Sequence, residues 1–247
     1  MSEMRGTIAG LFSLVAILIG VNLLAQSGPA PSAAVPDLNG TWTGRGCIPK
    51  NSDVCPDFNR PSVVTERAKA FQAAFDELAV PKYDCFPATI PSLLTDPYPF
   101  LIEQQPDRVT FTYEKDDVVR VVWLEGKGHA KPKIGEFFAQ GYSTGRYEKN
   151  QLVVDTTKFV FDPTGIDDDF GNVPSSTKKH LVERYYREGD RLRVDLTIED
   201  PVFLKEPVSY TVEWQRSKTP PSLPWDCDPA AASEALKFRT TKYPEPK

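Results

Sequence analysis

The stretch His180–Glu199, HLVERYYREGDRLRVDLTIE, decides the fold class, because apolar and polar residues alternate on both sides of a Gly-Asp pair. A two-residue turn at Gly189-Asp190 folds this stretch into an antiparallel hairpin. The resulting register sets Arg184 opposite Asp195, whereas a slip by one residue would set Glu183 there and create a repulsive pair. One face of the hairpin is therefore apolar and predicted to be buried.

The same register places a charged side chain on that apolar face. Glu183 lies opposite Leu196 and is predicted to point into the interior. A second hairpin over 108–125 pairs Phe111 with Arg120, which likewise places Arg120 among apolar side chains. Because an uncompensated buried charge costs several kcal/mol, the two groups must be paired. They either pair within the protein and fix the fold, or they line a cup and meet a ligand.

The alternating pattern continues outward over most of the chain, with turn residues at short intervals, as in a barrel or sandwich. The predicted strands are 38–44, 100–105, 108–114, 118–125, 137–147, 151–161, 178–187, 191–199 and 207–215.

A single helical pattern interrupts the strands. Thr65 can cap a helix over 65–78, whose apolar residues fall on one face, and Pro81 ends it. That face is formed by Ala68, Phe71, Ala74, Phe75 and Leu78. The sequence thus predicts a mainly β chain, a single antiparallel β-barrel of about 8–10 strands with one N-terminal helix inserted after the first strand.

The start of the chain indicates export. Arg5 precedes the apolar stretch 8–25, and small residues follow at Ala25 and Ser27, which is typical of a signal peptide. A retained membrane anchor is the alternative. We expect a signal peptide at 1–27, a disordered linker at 28–37, a barrel domain at 38–230 and a C-terminal tail at 231–247. The mature protein would be periplasmic or secreted, without membrane insertion.

The cysteines agree with an oxidising compartment. An even number follows the leader, which indicates two disulfides, and four cysteines allow three connectivities. The short loop Cys47–Cys55 is sterically easy to close and would leave Cys85 to pair with Cys227. No CxxC pair is present, and we expect neither a metal nor another cofactor.

The charge distribution argues against a nucleic-acid partner. The net charge is −5, from 29 Lys and Arg against 34 Asp and Glu, and the cations are scattered along the chain. Phosphate binding needs clustered cations. A small molecule is the expected partner.

The candidate ligand-binding residues share predicted inward positions in the cup. They are Arg120, Tyr113, Tyr147, Tyr185 and Glu183. The guanidinium fork suits a carboxylate, and each tyrosine offers an apolar ring with a polar tip. The first hypothesis is therefore a lipocalin-like binder of a partly apolar ligand that carries an anionic group.

An enzyme built in the same cup is the alternative, an isomerase, hydratase or hydrolase with Glu183, Asp155 or His180 in acid–base roles. His180 lies opposite Glu199 in the predicted hairpin, so it is either a general base or part of an exposed ion pair. His129, in a Gly-rich turn, is expected to be solvated. A structural envelope module with a filled interior is the third hypothesis.

Two resemblances support these expectations. Gly40-Thr41-Trp42 resembles the Gly-x-Trp start of lipocalin-type (calycin) barrels, in which the Trp packs across the closed end. Other stretches are similar to a family of uncharacterised exported bacterial proteins, namely Pro97–Phe100, GYSTGRYE at 141–148, LVVDTT at 152–157, Val182–Tyr185 and Leu192–Pro201. That family has His at the position of Tyr142 and Trp at that of Tyr147. The chain departs at both, which weighs against His-dependent chemistry there.

Overall fold

The computed structural model describes residues 35–47, 62–76, 80–167, 172–222 and 226–237. The strands are β1 (Gly40–Cys47), β2 (Phe100–Gln104), β3 (Arg108–Tyr113), β4 (Val119–Leu124), β5 (Tyr142–Glu148), β6 (Gln151–Thr157), β7 (Asp162–Asp167), β8 (Val173–Ser175), β9 (His180–Glu188), β10 (Arg191–Glu199) and β11 (Val208–Ser217). The helices are α1 (Glu66–Ala73), α2 (Ser92–Thr95) and α3 (Pro229–Lys237), and single 3-10 turns occupy Pro81–Asp84 and Lys115–Asp117. The predicted signal peptide lies outside the described residues.

Nine of these strands close into a barrel in the order β1-β11-β10-β9-β6-β5-β4-β3-β2. This confirms the prediction of a mainly β chain that forms a closed barrel. The barrel is not antiparallel throughout, however, because β4 and β5 pair in parallel through Val122–Ser143 and Leu124–Gly145. The long connection 125–141 returns the chain to the end of the barrel from which β4 started, which a tight hairpin turn cannot do. β7 and β8 form a separate two-stranded sheet that the sequence did not predict.

The observed registers agree with those derived from the sequence. β9 and β10 pair Arg184 with Asp195 and Glu183 with Leu196. β3 and β4 pair Phe111 with Arg120. Because side chains alternate between the two faces of a strand, Glu183 and Arg120 both point into the barrel, as predicted.

One end of the barrel is closed by Trp42, whose indole Nε1 donates to the carbonyl of Leu38 at 2.9 Å. The guanidinium groups of Arg187 and Arg216 lie 5.9 and 5.5 Å from the Trp42 ring. Trp42 is fully buried, as the resemblance to lipocalin-type barrels implied. The last residues of the predicted linker reach this end too, since the carbonyl of Pro36 accepts a hydrogen bond from Gln104.

The helix after β1 differs in extent from its prediction. α1 ends at Ala73, and Thr65 accepts a hydrogen bond from the backbone N–H of Ala68. Ala68 is the one buried residue of α1, whereas Phe71 is 36% exposed and contacts the rings of Phe161 and Phe203. The helix therefore packs against β8 and does not bury the whole predicted apolar face.

A disulfide joins Cys85 to Cys227, with a Cα–Cα distance of 5.8 Å, which is one of the pairings that the sequence left open. It holds the chain before α3 against the segment that leads into β2. The predicted Cys47–Cys55 bond involves a residue outside the described ranges and stays a prediction. Within the described ranges, no helix has the length and apolarity needed to cross a bilayer.

Candidate functional site

The predicted interior charges form an ion pair with each other. The Arg120 guanidinium donates from Nη1 to Oε1 of Glu183 at 2.8 Å and from Nη2 to Oε2 of the same carboxylate. The two residues are 2% and 0% exposed, respectively. The pairing is bidentate, the geometry that the planar guanidinium and carboxylate groups favour.

Hydroxyl groups complete this network from three further positions. Arg120 donates from Nε to Ser143 Oγ at 3.1 Å and from Nη2 to Thr156 Oγ1 at 2.8 Å. Tyr185 donates its hydroxyl to Glu183 Oε1 at 2.6 Å. Four of the five N–H groups of Arg120 are thus satisfied by β5, β6 and β9. Ser143 and Thr156 were not among the predicted site residues, although both fall on inward positions of their strands.

The environment keeps the pair charged and its tyrosines neutral. Burial opposes the charge of Arg120, but the Glu183 carboxylate outweighs it and raises the pKa of Arg120 above its ordinary value. Burial, reinforced by the Glu183 charge, raises the pKa of Tyr185 well above its ordinary value. Burial also raises the pKa of Tyr113. Arg120 therefore stays charged and both tyrosines stay neutral near neutral pH.

The barrel interior around this network is filled by side chains. The core residues that are at most 1% exposed include, on the barrel strands, Trp42, Phe100, Ile102, Val109, Phe111, Tyr113, Val122, Leu152, Val154, Leu181, Tyr185, Leu192, Val194, Leu196, Ile198, Val212 and Trp214. A residue with no accessible surface has no water-sized space beside it. Tyr113 Oη and Trp214 Nε1 are buried there without a hydrogen-bond partner.

The residues that were predicted to line the cup differ in how deeply they are buried. Tyr113, Tyr185, Arg120 and Glu183 point inward, as predicted, and each is at most 2% exposed. Tyr147 is half-buried and accepts a hydrogen bond at 2.9 Å from Gln104, which also bonds the backbone at the closed end. The structure thus places four of the five residues in the core and leaves Tyr147 half-buried at its margin.

The three predicted acid–base residues do not meet. Glu183 lies inside the wall, whereas Asp155 and His180 lie on its outer face, with side chains 43% and 32% exposed. His180 Nε2 is 3.0 Å from Asp155, and Nδ1 is 3.4 Å from Glu199. Burial lowers the pKa of His180, but its bonds to the two carboxylates outweigh burial, so the pKa is raised. This is the exposed cross-strand pairing that the sequence left open.

A cleft of about 530 Å³ lies instead on the outer side of the β4–β5 wall, under the connection 125–141, and we call it the seam cleft. Its lining comprises Val119, Arg120, Val121, Trp123, Ala130, Lys131, Pro132, Glu136, Phe138, Ala139, Gln140, Gly141, Tyr142 and Ser143. Val119 and Phe138 are 58% and 40% exposed, so apolar surface faces solvent here. Arg120 and Ser143 are almost fully buried but also line this cleft, so the seam cleft borders the interior network.

One end of the seam cleft carries an aromatic cluster. The His129 ring stacks on Trp123 with a centroid distance of 5.4 Å, and its Nδ1 is 2.6 Å from the hydroxyl of Tyr142. His129 was expected to be solvated, and its ring is partly exposed while one face stacks on Trp123. Burial raises the pKa of Tyr142. Only the path of a long connection brings these residues together, so no local sequence pattern could have found them.

The polar groups of the seam cleft include an acceptor and a cation. Gln140 donates from Nε2 to the carbonyl of Ala88 at 2.7 Å, which leaves its Oε1 buried without a partner. Lys131 forms no ion pair with any described residue. The seam cleft thus combines apolar walls with a few convergent polar groups, as small-molecule sites do.

The described residues define a closed barrel with a filled interior and an external cleft. No family model matches the chain, and no curated protein matches it significantly. Among solved structures, a point variant of the fluorescent protein UnaG is similar to this chain, with a TM-score of 0.36 and 14% identity over 74% of this chain and 97% of that one. A likeness of this size carries no argument about function.

Proposed function

We propose that the protein is exported and binds a small, partly apolar molecule in the seam cleft. The observation that carries the proposal is an apolar cleft of about 530 Å³ on the outside of a barrel whose interior is filled. A closed barrel is a fold that holds small molecules in other proteins, usually inside. Here the core side chains occupy that interior, so the external cleft is the favoured place.

The polar groups of the seam cleft suggest what the ligand carries. Val119, Trp123 and Phe138 offer apolar contact. The unpaired Gln140 oxygen favours a ligand with an N–H or O–H donor. Lys131 favours a ligand with an anionic group, a role that sequence analysis gave to Arg120.

Export is proposed on the leader sequence and on disulfide chemistry. Disulfides persist in oxidising compartments such as the periplasm or the extracellular space, and are rare in the cytosol. The Cys85–Cys227 bond is compatible with either exported location.

Saturation binding of 8-anilinonaphthalene-1-sulfonate, an apolar anion, tests the proposal. Val119→Glu places a negative charge in the seam cleft, and Ser209→Glu places the same charge on an exposed position of β11. We expect saturable binding to the wild type, at least about tenfold weaker binding to Val119→Glu and unchanged binding to Ser209→Glu. Equal affinities of the two variants, or no saturable binding at all, would refute the proposal. Native mass spectrometry of the purified protein would then identify a natural ligand.

The filled interior favours a second candidate, a structural or envelope-interaction module. Such a module needs the rigid barrel but no ligand. It predicts that the dye does not bind saturably and that no molecule co-purifies, the outcome that removes the first candidate.

A further inference from the structure

The strand β4 exposes an unpaired edge in the seam cleft. Tyr113 donates its backbone N–H to the carbonyl of Val118 at 2.8 Å, and Leu124 donates to Asp107 at 2.9 Å. These two bonds fix which residues of β4 pair with β3, because hydrogen-bonding direction alternates along a strand. The alternate residues that follow Val118, namely Val119 and Val121, therefore direct their N–H and C=O groups away from β3 and toward β5.

β5 does not reach this part of β4. The parallel pairing begins at Val122–Ser143, so at most the carbonyl of Val121 takes part in it. In the described part of the chain, no hydrogen bond uses the N–H of Val121 or either backbone group of Val119. The N–H of Val119, its C=O and the N–H of Val121 thus form a row of donor, acceptor and donor along one wall of the seam cleft.

The chain before β5 bends away toward β6. Phe138 donates its N–H to the carbonyl of Lys158 at 2.9 Å, and Gly141 donates to Phe138 at 3.1 Å, which closes a turn. Gly141 has a φ of 66°, and a Cβ there would lie 2.8 Å from the Thr157 carbonyl oxygen. Only glycine fits this turn, which directs the chain before β5 away from Val119 and Val121. The turn therefore leaves the edge of β4 unpaired at these two residues.

We infer that the seam cleft binds a short, extended, partly apolar peptide, which adds a strand to the open edge of β4. This inference rests on the proposed function and names the ligand class of the same site. A peptide backbone repeats donors and acceptors at the spacing of the unpaired groups, and strand addition to an exposed edge is a general mode of peptide recognition. Three residues of the edge span about 10 Å, so a tripeptide is long enough to pair with them.

The contacts of the seam cleft fit the side chains of such a peptide. Residues of an added strand alternate between two faces, and those on the outer face lie beside Val119 and Val121. Phe138 lines the cleft nearby and is 40% exposed. We therefore expect apolar residues at alternate peptide positions, with the free Gln140 oxygen able to accept a hydrogen bond from the ligand.

Titration calorimetry with acetyl-Val-Thr-Val-amide tests this inference on the wild-type protein. The matched probe is the same tripeptide with N-methylated backbone amides, which keeps the side chains but removes the donors. We expect the unmodified tripeptide to bind at least about tenfold more tightly, since several backbone hydrogen bonds are lost in the analogue. Equal affinities of the two peptides would overturn strand addition.

A variant of the edge gives the complementary test. Val119→Pro removes the N–H that faces the seam cleft and leaves the bonds between β3 and β4 intact, because proline is tolerated where a strand's N–H faces away from its neighbour. Val119→Ala shortens the same side chain and keeps that N–H. We expect Val119→Pro to weaken tripeptide binding about tenfold and Val119→Ala less than about threefold. Equal losses in the two variants would contradict the inference.

The dye titration separates this inference from the proposed function. If 8-anilinonaphthalene-1-sulfonate binds the wild type and the tripeptide does not, the cleft takes small apolar ligands and the peptide inference alone fails. If neither probe binds, both fail. If both bind and compete, the peptide inference is supported.

Discussion

Arg120 and Glu183 lie on strands that are not neighbours, since β5 and β6 separate β4 from β9 in the barrel. Their inward direction followed from hairpin register, a local property that the sequence contains. Their pairing depended on which strands face each other across the closed barrel, and no local sequence pattern predicts this. For the same reason Ser143 and Thr156 were missed as partners of Arg120, although alternation alone places them inside.

Glu183→Gln tests the energetic role of this pair. The substitution removes the counter-charge and leaves Arg120 buried and positive, so we expect the free energy of unfolding to fall by about 3–5 kcal/mol. Urea denaturation measures the change. The matched control is Glu199→Gln on the outer face, where an exposed ion pair contributes less than about 1 kcal/mol.

The double variant Arg120→Met/Glu183→Leu removes both charges. Apolar residues of similar volume avoid the desolvation of two charges, so we expect the double variant to be more stable than Glu183→Gln. A Glu183→Gln variant that loses less than about 1 kcal/mol would show that the pair does not hold Arg120 in place.

At the scale of elements, alternation predicted the strands well and their ends less well. The predicted strand 137–147 begins only at Tyr142, because the glycine turn at Gly141 breaks it. The predicted strand 151–161 ends at Thr157, where Lys158 follows with a φ of 63°. Both breaks depend on backbone conformations that alternation does not encode. They also open the seam cleft, which is why the site was absent from the sequence prediction.

Lys179 joins three elements at the start of β9 and gives a prediction at this scale. Its Nζ donates to the carbonyls of Ile90 and Gly165, both at 2.8 Å, and lies 4.2 Å from the Phe159 ring. Burial lowers the pKa of Lys179 to about 8, although the charge of Asp162 opposes the shift. The lysine of the unfolded chain has an ordinary pKa of 10.5.

The sign of the pH dependence follows from these two pKa values. Between about pH 8 and 10.5 the unfolded chain binds more protons at this lysine than the folded protein does. The free energy of unfolding should therefore rise with pH across that window, by up to about 3 kcal/mol relative to Lys179→Met. Urea denaturation of both proteins at several pH values measures the difference. Parallel profiles would mean that Lys179 titrates as an ordinary lysine.

At the scale of the whole molecule, the barrel resembles a lipocalin in closure but differs in how its interior is used. The Gly-x-Trp segment correctly predicted a Trp packed across one end. The interior, however, holds aromatic rings and an ion pair in place of a ligand. The parallel seam moves the accessible concave surface to the outside, and it exists because the connection 125–141 crosses the wall instead of forming a hairpin. The sequence predicted the barrel but did not predict the path of this connection.

The Cys85–Cys227 disulfide constrains almost the entire barrel. The two cysteines are 142 residues apart, and β2 through β11 lie between them. A cross-link that closes so long a loop reduces the conformational freedom of the unfolded chain, so the folded state gains stability. The double variant Cys85→Ala/Cys227→Ala should lose about 2–5 kcal/mol of unfolding free energy in urea under non-reducing conditions. Removing both cysteines together also leaves no free thiol at these positions that could form a disulfide with Cys47 or Cys55.

A second attachment near the same end of the chain needs its own control. Ser222 donates its backbone N–H to the Glu114 carboxylate at 2.6 Å, so we expect the folded double variant to keep its tail attached. Glu114→Gln, alone and combined with the cysteine changes, separates the contributions of the two attachments to the free energy of unfolding. A cysteine double variant as stable as the wild type would show that the unfolded chain is already compact enough for the cross-link to add nothing.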